Sequence, residues 1–182
     1  PRLRGHDYMQ GAYFVTLCTW SRRHWFGRID GTGHAAVMEP NAMGRIVLDQ
    51  WNALPRHFAH VQLDQVQLMP DHFHAIIILA GGIGSTLRAD ATAAAGPTTD
   101  GSGATEGAGP GTNARPNGTR PGSLGAIIGA FKSGTTYHMN RLAGTPGQRY
   151  WQPGFHDRVI RVTYGEFERI ARYIAQNPSK WW

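Results

Sequence analysis

"VQLDQVQLMPDHFHAIIIL", residues 61–79, decides how this chain folds. Its second half, His72 to Leu79, is short, apolar and rich in β-branched residues, the composition of a buried strand. Val61 to Gln67 alternates, with Val61, Leu63 and Gln65 on one face and Gln62, Asp64 and Val66 on the other, which marks a second strand. Met69-Pro70-Asp71 reads as a tight turn, so the two strands form a hairpin. The choice of strand over helix matters for His72 and His74. On a helix, residues i and i+2 point to nearly opposite sides; on a strand they share one face, roughly 6–7 Å apart along the chain. Two imidazoles placed in this way can reach one metal ion, or they can be two satisfied histidines at the end of a core strand. The stretch by itself allows both.

Working outward, Ala12 to Trp20 ("AYFVTLCTW") reads as a strand. Residues 41–54 ("NAMGRIVLDQWNAL") have Met43, Ile46, Val47, Trp51 and Leu54 at helical spacing, with Pro55 as a stop. Ser123 opens a helix to about Leu142, facing Leu124, Ile127, Ile128, Phe131 and Met139 inward. Phe155 to Val162 ("FHDRVIRV") is a strand. A last helix runs from Tyr164 to about Asn177, with Pro178 behind it, Thr163 and Glu166 as a capping box, and Phe167, Ile170, Ala171 and Ile174 as its apolar face. The order is β-α-β-β-α-β plus one helix. It predicts an α+β chain of the ferredoxin-like, split βαβ plan, an antiparallel sheet with an additional C-terminal helix. In that plan the first and third strands are central, which puts the histidine pair on a rigid support.

Composition narrows the partners. Of 182 residues, 18 are Lys or Arg and 12 Asp or Glu, for a net charge of +6, and all the basic residues except Lys132 and Lys180 are arginine. Arginine forks match phosphate oxygens in pairs, so a polyanion is a fitting partner. The single cysteine, Cys18, lies in an apolar stretch and reads as a buried small hydrophobe; it excludes an intramolecular disulfide framework and a cysteine-built zinc site. No stretch approaches the apolar length of a membrane span and no signal peptide is visible, so the expected location is cytoplasmic. Residues 81–122 have no aromatic side chain and are dominated by Gly, Ala, Pro and Thr. They read as a disordered insertion within one domain spanning 1–182. "GGIG" at 81–84 lacks the lysine and the spacing of a phosphate loop.

On the last helix, Arg169, Tyr173 and Asn177 follow one another at i+4 and share one edge. A tyrosine flanked by an arginine that can hold phosphate and by an amide oxygen that can ligate a hard metal suits attack on a phosphodiester. A boundary tyrosine with its hydroxyl in water fits the same spacing.

Together, "GAYFVTLCTWSRRHWFG", "MPDHFHAIIIL", "LGAIIGAFKS", "WQPGFHDRVIR" and "RYIAQNPSKWW" resemble the REP-associated tyrosine transposases, small single-tyrosine HUH enzymes, over nearly everything except 81–122. The long Gly/Ala insertion departs from that family's pattern. The resemblance implies that His72 and His74 ligate a divalent metal, Mg²⁺ or Mn²⁺, that Asn177 is a further ligand, and that Tyr173 is the nucleophile. It implies cleavage and rejoining of single-stranded DNA, hairpin-containing, through a 5′-phosphotyrosine, by a monomer or homodimer. Candidate DNA contacts are Arg22, Arg23, Lys132, Arg158, Arg161 and Arg169, with Trp20, Trp25 and Trp151 as stacking surfaces. Other H-x-H enzymes fit poorly: residues 75–79 lack the glutamate of a cupin and the Asp-His of a metallo-β-lactamase, and the H-x-E and cysteine pair of a zinc deaminase are absent. The competing class is a domesticated, non-catalytic single-stranded nucleic-acid-binding protein of the same fold.

Overall fold

The computed structural model describes residues 6–80, 120–161 and 165–181. In chain order its elements are β1 (Gly11–Cys18), β2 (Gly27–Asp30), β3 (Val37–Pro40), α1 (Ala42–Asn52), α2 (Leu54–His57), β4 (Val61–Met69), β5 (His72–Leu79), α3 (Leu124–Ala143), β6 (His156–Ile160) and α4 (Glu166–Ala175). The main sheet has four antiparallel strands in the order β4-β5-β1-β6. With the small β2–β3 hairpin set aside, this is the ferredoxin-like order, with β1 and β5 in the centre.

Both faces of the sheet are covered, which is why β5 reads as an almost unbroken apolar run. Phe73, Ala75, Ile77 and Leu79 face one side, where they join Tyr13, Val15 and Leu17 of β1, Val47 and Trp51 of α1, and Leu124, Ile127, Ile128 and Phe131 of α3 in the main core. The alternate residues face the other side. There Ile76, Ile78 and Phe14 pack with Ile160 against Phe167, Ile170, Ala171 and Ile174, the apolar stripe of α4. His72 and His74 therefore lie on the face that α4 crosses, beyond the last isoleucines it covers.

α1 and α3 begin where the sequence starts them, each with a capping side chain. Asn41 accepts a hydrogen bond from the Gly44 amide at 2.9 Å and Ser123 one from Ala126 at 3.4 Å. Gly44 is needed for packing: a Cβ there would lie 2.2 Å from the Phe26 carbonyl oxygen.

Several expectations need correction. Pro55 does not end the helical region; it sits in the first turn of α2, where a missing N–H costs nothing. The alternation of β4 is broken: Leu63 pairs with Ile77 but Val66 with Ala75, so a bulge puts Leu63 and Val66 both against the main core. The β2–β3 hairpin was not foreseen. The last helix begins at Glu166, after Gly165 at φ 77°, and the capping-box partner Thr163 lies outside the described residues. Glu166 instead accepts from the Arg161 backbone N–H at 3.0 Å and from Arg158 at 2.6 Å. Of the expected insertion, 81–119 lies outside the described residues, while Arg120 to Gly122 form a turn into α3. Cys18 is not core: it is half-buried on the histidine face and its sulfur accepts from Arg22 at 2.9 Å. Among the described residues no helix is long and apolar enough to cross a membrane.

Candidate active site

The site is built on two neighbouring strands and closed by the end of α4. β1–β5 pairing sets Thr16 opposite His74 and Cys18 opposite His72. The two imidazole centroids are 4.6 Å apart, and both rings are buried. Each ring is held at Nδ1. His74 Nδ1 is 2.8 Å from the Thr16 hydroxyl, and His72 Nδ1 is 2.6 Å from Asp71 Oδ1. The second Asp71 oxygen meets Arg22 Nε at 2.8 Å. Burial works against the Asp71 carboxylate, but the hydrogen bond and charge of His72, with Arg22 and His24, hold its pKa below the usual value. An ionised carboxylate only accepts, so His72 Nδ1 carries the proton and its Nε2 presents a lone pair when the ring is neutral. His74 is kept neutral: burial, with His72 and Arg22 nearby, pushes its pKa down to about 3.

Arg22 reaches this position because the chain turns sharply after Trp20. Ser21 and Arg22 adopt φ values of 55° and 53°, a left-handed conformation costly for residues with side chains and concentrated at functional sites. Asp71 is tied from behind, its carbonyl accepting from the Thr19 N–H at 2.9 Å and the Thr19 hydroxyl at 3.0 Å.

α4 brings the third part. Ile170 and Ile174 anchor it on the sheet, which sets Tyr173 at the edge with its ring 5.8 Å from His74 and 6.1 Å from Phe14. Tyr173 is 44% exposed and lines the cleft that the histidines share. Asn177, one turn on, is 8% exposed, and its side-chain amide makes no hydrogen bond among the described residues. The chain then turns back through Pro178–Lys180. Lys180 Nζ lies 5.4 Å from the Tyr173 ring centroid, and Trp181 stacks on His72 at 5.9 Å. Thr16, Arg22, His72, His74, Tyr173, Asn177, Lys180 and Trp181 line one open cleft of about 490 Å³.

The donor set fits a divalent ion. Two imidazoles are held at Nδ1, with Nε2 the remaining nitrogen of each, and the Asn177 amide, which makes no hydrogen bond among the described residues, shares their cleft. Among the described residues no group of three His, Cys, Asp or Glu is placed to hold a metal ion, so a site here would draw on the Asn177 amide beside the two imidazoles.

No family model matches the chain. An uncharacterized protein of Haemophilus influenzae (strain Rd) is 25% identical over 181 residues, 99% of this chain and 87% of that protein. Among solved structures, a REP-associated tyrosine transposase bound to a REP hairpin superimposes with a TM-score of 0.56 at 15% identity, over 99% of this chain and 74% of that one. The fold is that of a REP-associated tyrosine transposase. A candidate transposase from Deinococcus radiodurans covers 97% of this chain and 96% of its own at 15% identity, with a TM-score of 0.44, too distant to carry weight.

On this transposase fold the other residues singled out in the sequence are scattered. Arg22 lines the cleft but is engaged by Asp71 and Cys18. Arg23 lies over the Trp25 ring at 5.7 Å. Lys132 donates to the Gln152 and Gly154 carbonyls at 2.5 and 2.7 Å, and burial lowers its pKa. Arg158 pairs with Glu166 at 2.6 Å. Arg161 and Arg169 are exposed and outside the cleft lining. Trp151 is core, its Nε1 donating to Thr135 at 2.9 Å, and Trp25 is half-buried against Tyr150; Trp20 is exposed. Sequence reasoning missed Thr16, Asp71, Lys180 and Trp181. Asp71 had a signal, its place immediately before His72; Thr16 had none, because its role depends on strand register.

Proposed function

We propose that this chain is a metal-dependent, single-stranded DNA transposase of the REP-associated tyrosine class that cleaves and rejoins strands through Tyr173. The observation that carries this reading is the convergence in one cleft of the exposed Tyr173, the two Nδ1-anchored histidines and the Asn177 amide, which makes no hydrogen bond among the described residues. The solved relative holds a REP hairpin. This chain, with a net charge of +6, takes a hairpin-bearing single strand in the same way.

The Tyr173 oxygen attacks the scissile phosphorus, forming a P–O bond to the 5′ side and breaking the bond to the 3′ oxygen. The phenolic proton is lost to water in the open cleft, and the departing oxygen takes up a proton to become a 3′-OH. One phosphodiester replaces another, so the reverse reaction with a new 3′-OH rejoins strands without a nucleotide cofactor. Lys180 and Arg22 bring positive charge to the cleft where phosphate charge must be held. His72, His74 and Asn177 would hold Mg²⁺ or Mn²⁺, which supplies Lewis-acid polarisation of the scissile phosphate; the imidazoles favour Mn²⁺. Asp71 and Thr16 keep the two rings aimed.

The test is incubation of the protein with hairpin-bearing single strands and Mn²⁺, followed by denaturing electrophoresis. Wild type is expected to form a covalent protein–DNA adduct and Tyr173→Phe none, with DNA binding retained. Binding without an adduct in wild type would return the chain to the non-catalytic class, and an adduct at wild-type yield in Tyr173→Phe would exclude Tyr173.

A further inference from the structure

The cleft continues into two further hollows. A groove beside it shares Thr16 and is lined onward by Cys18, Gly154 and His156. A wider hollow of about 590 Å³ shares Gln152 and Pro153 with that groove and is walled by Trp20, Tyr137 and Arg149. The backbone explains why the three meet. β1 presents Thr16 and Cys18 to the histidine face, and Thr19 remains extended at φ −68°, ψ 155°, so alternation carries the row on to Trp20. His156 lies opposite Thr16 across the β1–β6 pair. The Gln152 N–H donates to the Cys18 carbonyl at 2.9 Å and the Trp20 N–H to the Tyr150 carbonyl at 2.8 Å, which sets residues 150–154 alongside as the second wall. Lys132 fixes that wall through its two carbonyl bonds.

The far hollow offers aromatic surface and positive charge. Trp20 is 36% exposed, with the Arg149 guanidinium carbon 5.6 Å from its ring centroid. Tyr137 is 56% exposed, with Arg141 5.7 Å from its ring and donating to its hydroxyl at 3.1 Å. Neither ring contributes to the core. Partly exposed indole and phenol rings beside arginines match an unpaired base and its phosphate: every base has a face to stack, and the arginines meet the backbone charge.

Resting on the reading of the cleft as the place of attack on single-stranded DNA, we propose that the strand runs from the cleft over Thr16 and Cys18 and stacks an unpaired base on Trp20, with Arg149 meeting the backbone of that nucleotide. Trp20 is then a binding residue that sets how the unpaired segment lies relative to the scissile phosphate, and it takes no part in the chemistry.

The test uses the full chain carrying Tyr173→Phe, so that binding is read without cleavage. The probe is a fluorescent hairpin oligonucleotide with an unpaired extension, in versions that each replace one extension nucleotide by an abasic site. One position is expected to cost roughly 5- to 150-fold in affinity, the range of a base–aromatic stack. Adding Trp20→Ala should weaken the intact oligonucleotide by the same factor and abolish the penalty at that position alone, whereas Trp20→Phe should keep most of both. Arg149→Ala leaves the indole in place and should reduce the slope of log affinity against log salt by about 0.7, the share of one phosphate on a single strand. An abasic profile unchanged by Trp20→Ala, or an unchanged salt slope in Arg149→Ala, overturns the route. Absence of the adduct in wild type, with this position-specific coupling intact, would instead return the chain to the non-catalytic class and leave the strand route standing.

Discussion

Asp71 is the side chain whose alteration best separates a metal site from a histidine pair that only fills the core. It is 4% exposed and bridges His72 Nδ1 at 2.6 Å and Arg22 Nε at 2.8 Å. Asp71→Asn keeps the size of the side chain but leaves one oxygen to serve two N–H donors, and its NH₂ must face the other. The neighbouring Arg22 side chain is about half exposed, so its lost ion pair costs at most about 1 kcal/mol. The charge-assisted bond to the buried His72 is worth about 1.5–3 kcal/mol, offset in part because a buried carboxylate no longer has to be desolvated. The expected net loss of stability is about 1–2 kcal/mol, which leaves the chain folded.

The effect on a metal is larger in proportion. Removing the partner that orients a ligating histidine costs about 10–100-fold in metal affinity or activity. Mn²⁺ titrations of adduct formation should therefore show a half-saturation raised by one to two orders of magnitude, with most of the rate restored at high Mn²⁺. A thermal melt of the same protein reports the stability term separately. If His72 is merely a core histidine, Asp71→Asn lowers the melting temperature and leaves the Mn²⁺ dependence of the folded fraction unchanged. An unaltered half-saturation would refute the assignment of Asp71 as the residue that aims His72.

Three further outcomes follow from the same contacts. Asn177→Ala should weaken Mn²⁺ dependence and cleavage together, while Asn177→Asp retains or tightens it because carboxylate is the stronger hard ligand; unchanged half-saturation in both variants would remove Asn177 from the ligand set. The Glu166 carboxyl is held below its ordinary pKa, first by the Arg161 backbone N–H and then, against its partial desolvation, by Arg158, so it stabilises the fold above the unfolded carboxyl pKa of about 4.3 and loses that contribution as pH falls through the lower folded value; Glu166→Gln should melt at a temperature less sensitive to pH across that acid window, and an identical slope would deny the linkage. Deleting residues 86–118 and joining the ends should leave fold and cleavage intact, since the His60 carbonyl accepts from the Ala80 N–H at 2.8 Å and its ring meets the Gly122 carbonyl at 2.8 Å, holding both flanks at one residue; loss of the cooperative melt would show that the segment contributes structure.

What the sequence disclosed followed the strength of its periodicities. The inward faces of α1, α3 and α4 were legible because their apolar residues recur at helical spacing over two or more turns: all five residues assigned inward on α3 are buried, and all four on α4 pack in the second core. The β2–β3 hairpin was not, because its strands are four residues long and only half-buried, too short for alternation to stand out. The β4 bulge escaped for a different reason. One extra residue shifts the alternation halfway along the strand, and nothing local in "VQLDQVQLM" marks where the partner strand accepts the slip. Pro55 misled because the residue that breaks a helix interior is tolerated in a first turn.

The site divides along the same line. His72 and His74 could be placed on one face from a period of two, and Tyr173 and Asn177 on one edge from a period of 3.6, because each pair lies within one element. What converts the two pairs into one cleft is long-range. Thr16 reaches His74 only because β1 and β5 pair in a register that sets residues 58 positions apart side by side. A slip of one residue in that pairing would move Thr16 off the histidine face and leave His74 Nδ1 without its partner. The slip is opposed by the other side of the same strand, where Tyr13, Val15 and Leu17 are buried among Phe73, Ala75 and Ile77. Burial of apolar groups at about 25 cal/mol per Å² fixes the register, and the register in turn fixes the hydroxyl against the imidazole. The main core thus positions His74 on the face opposite to itself, and an enlarged side chain at Ala75 should disturb the histidines through β5 while touching nothing in the cleft.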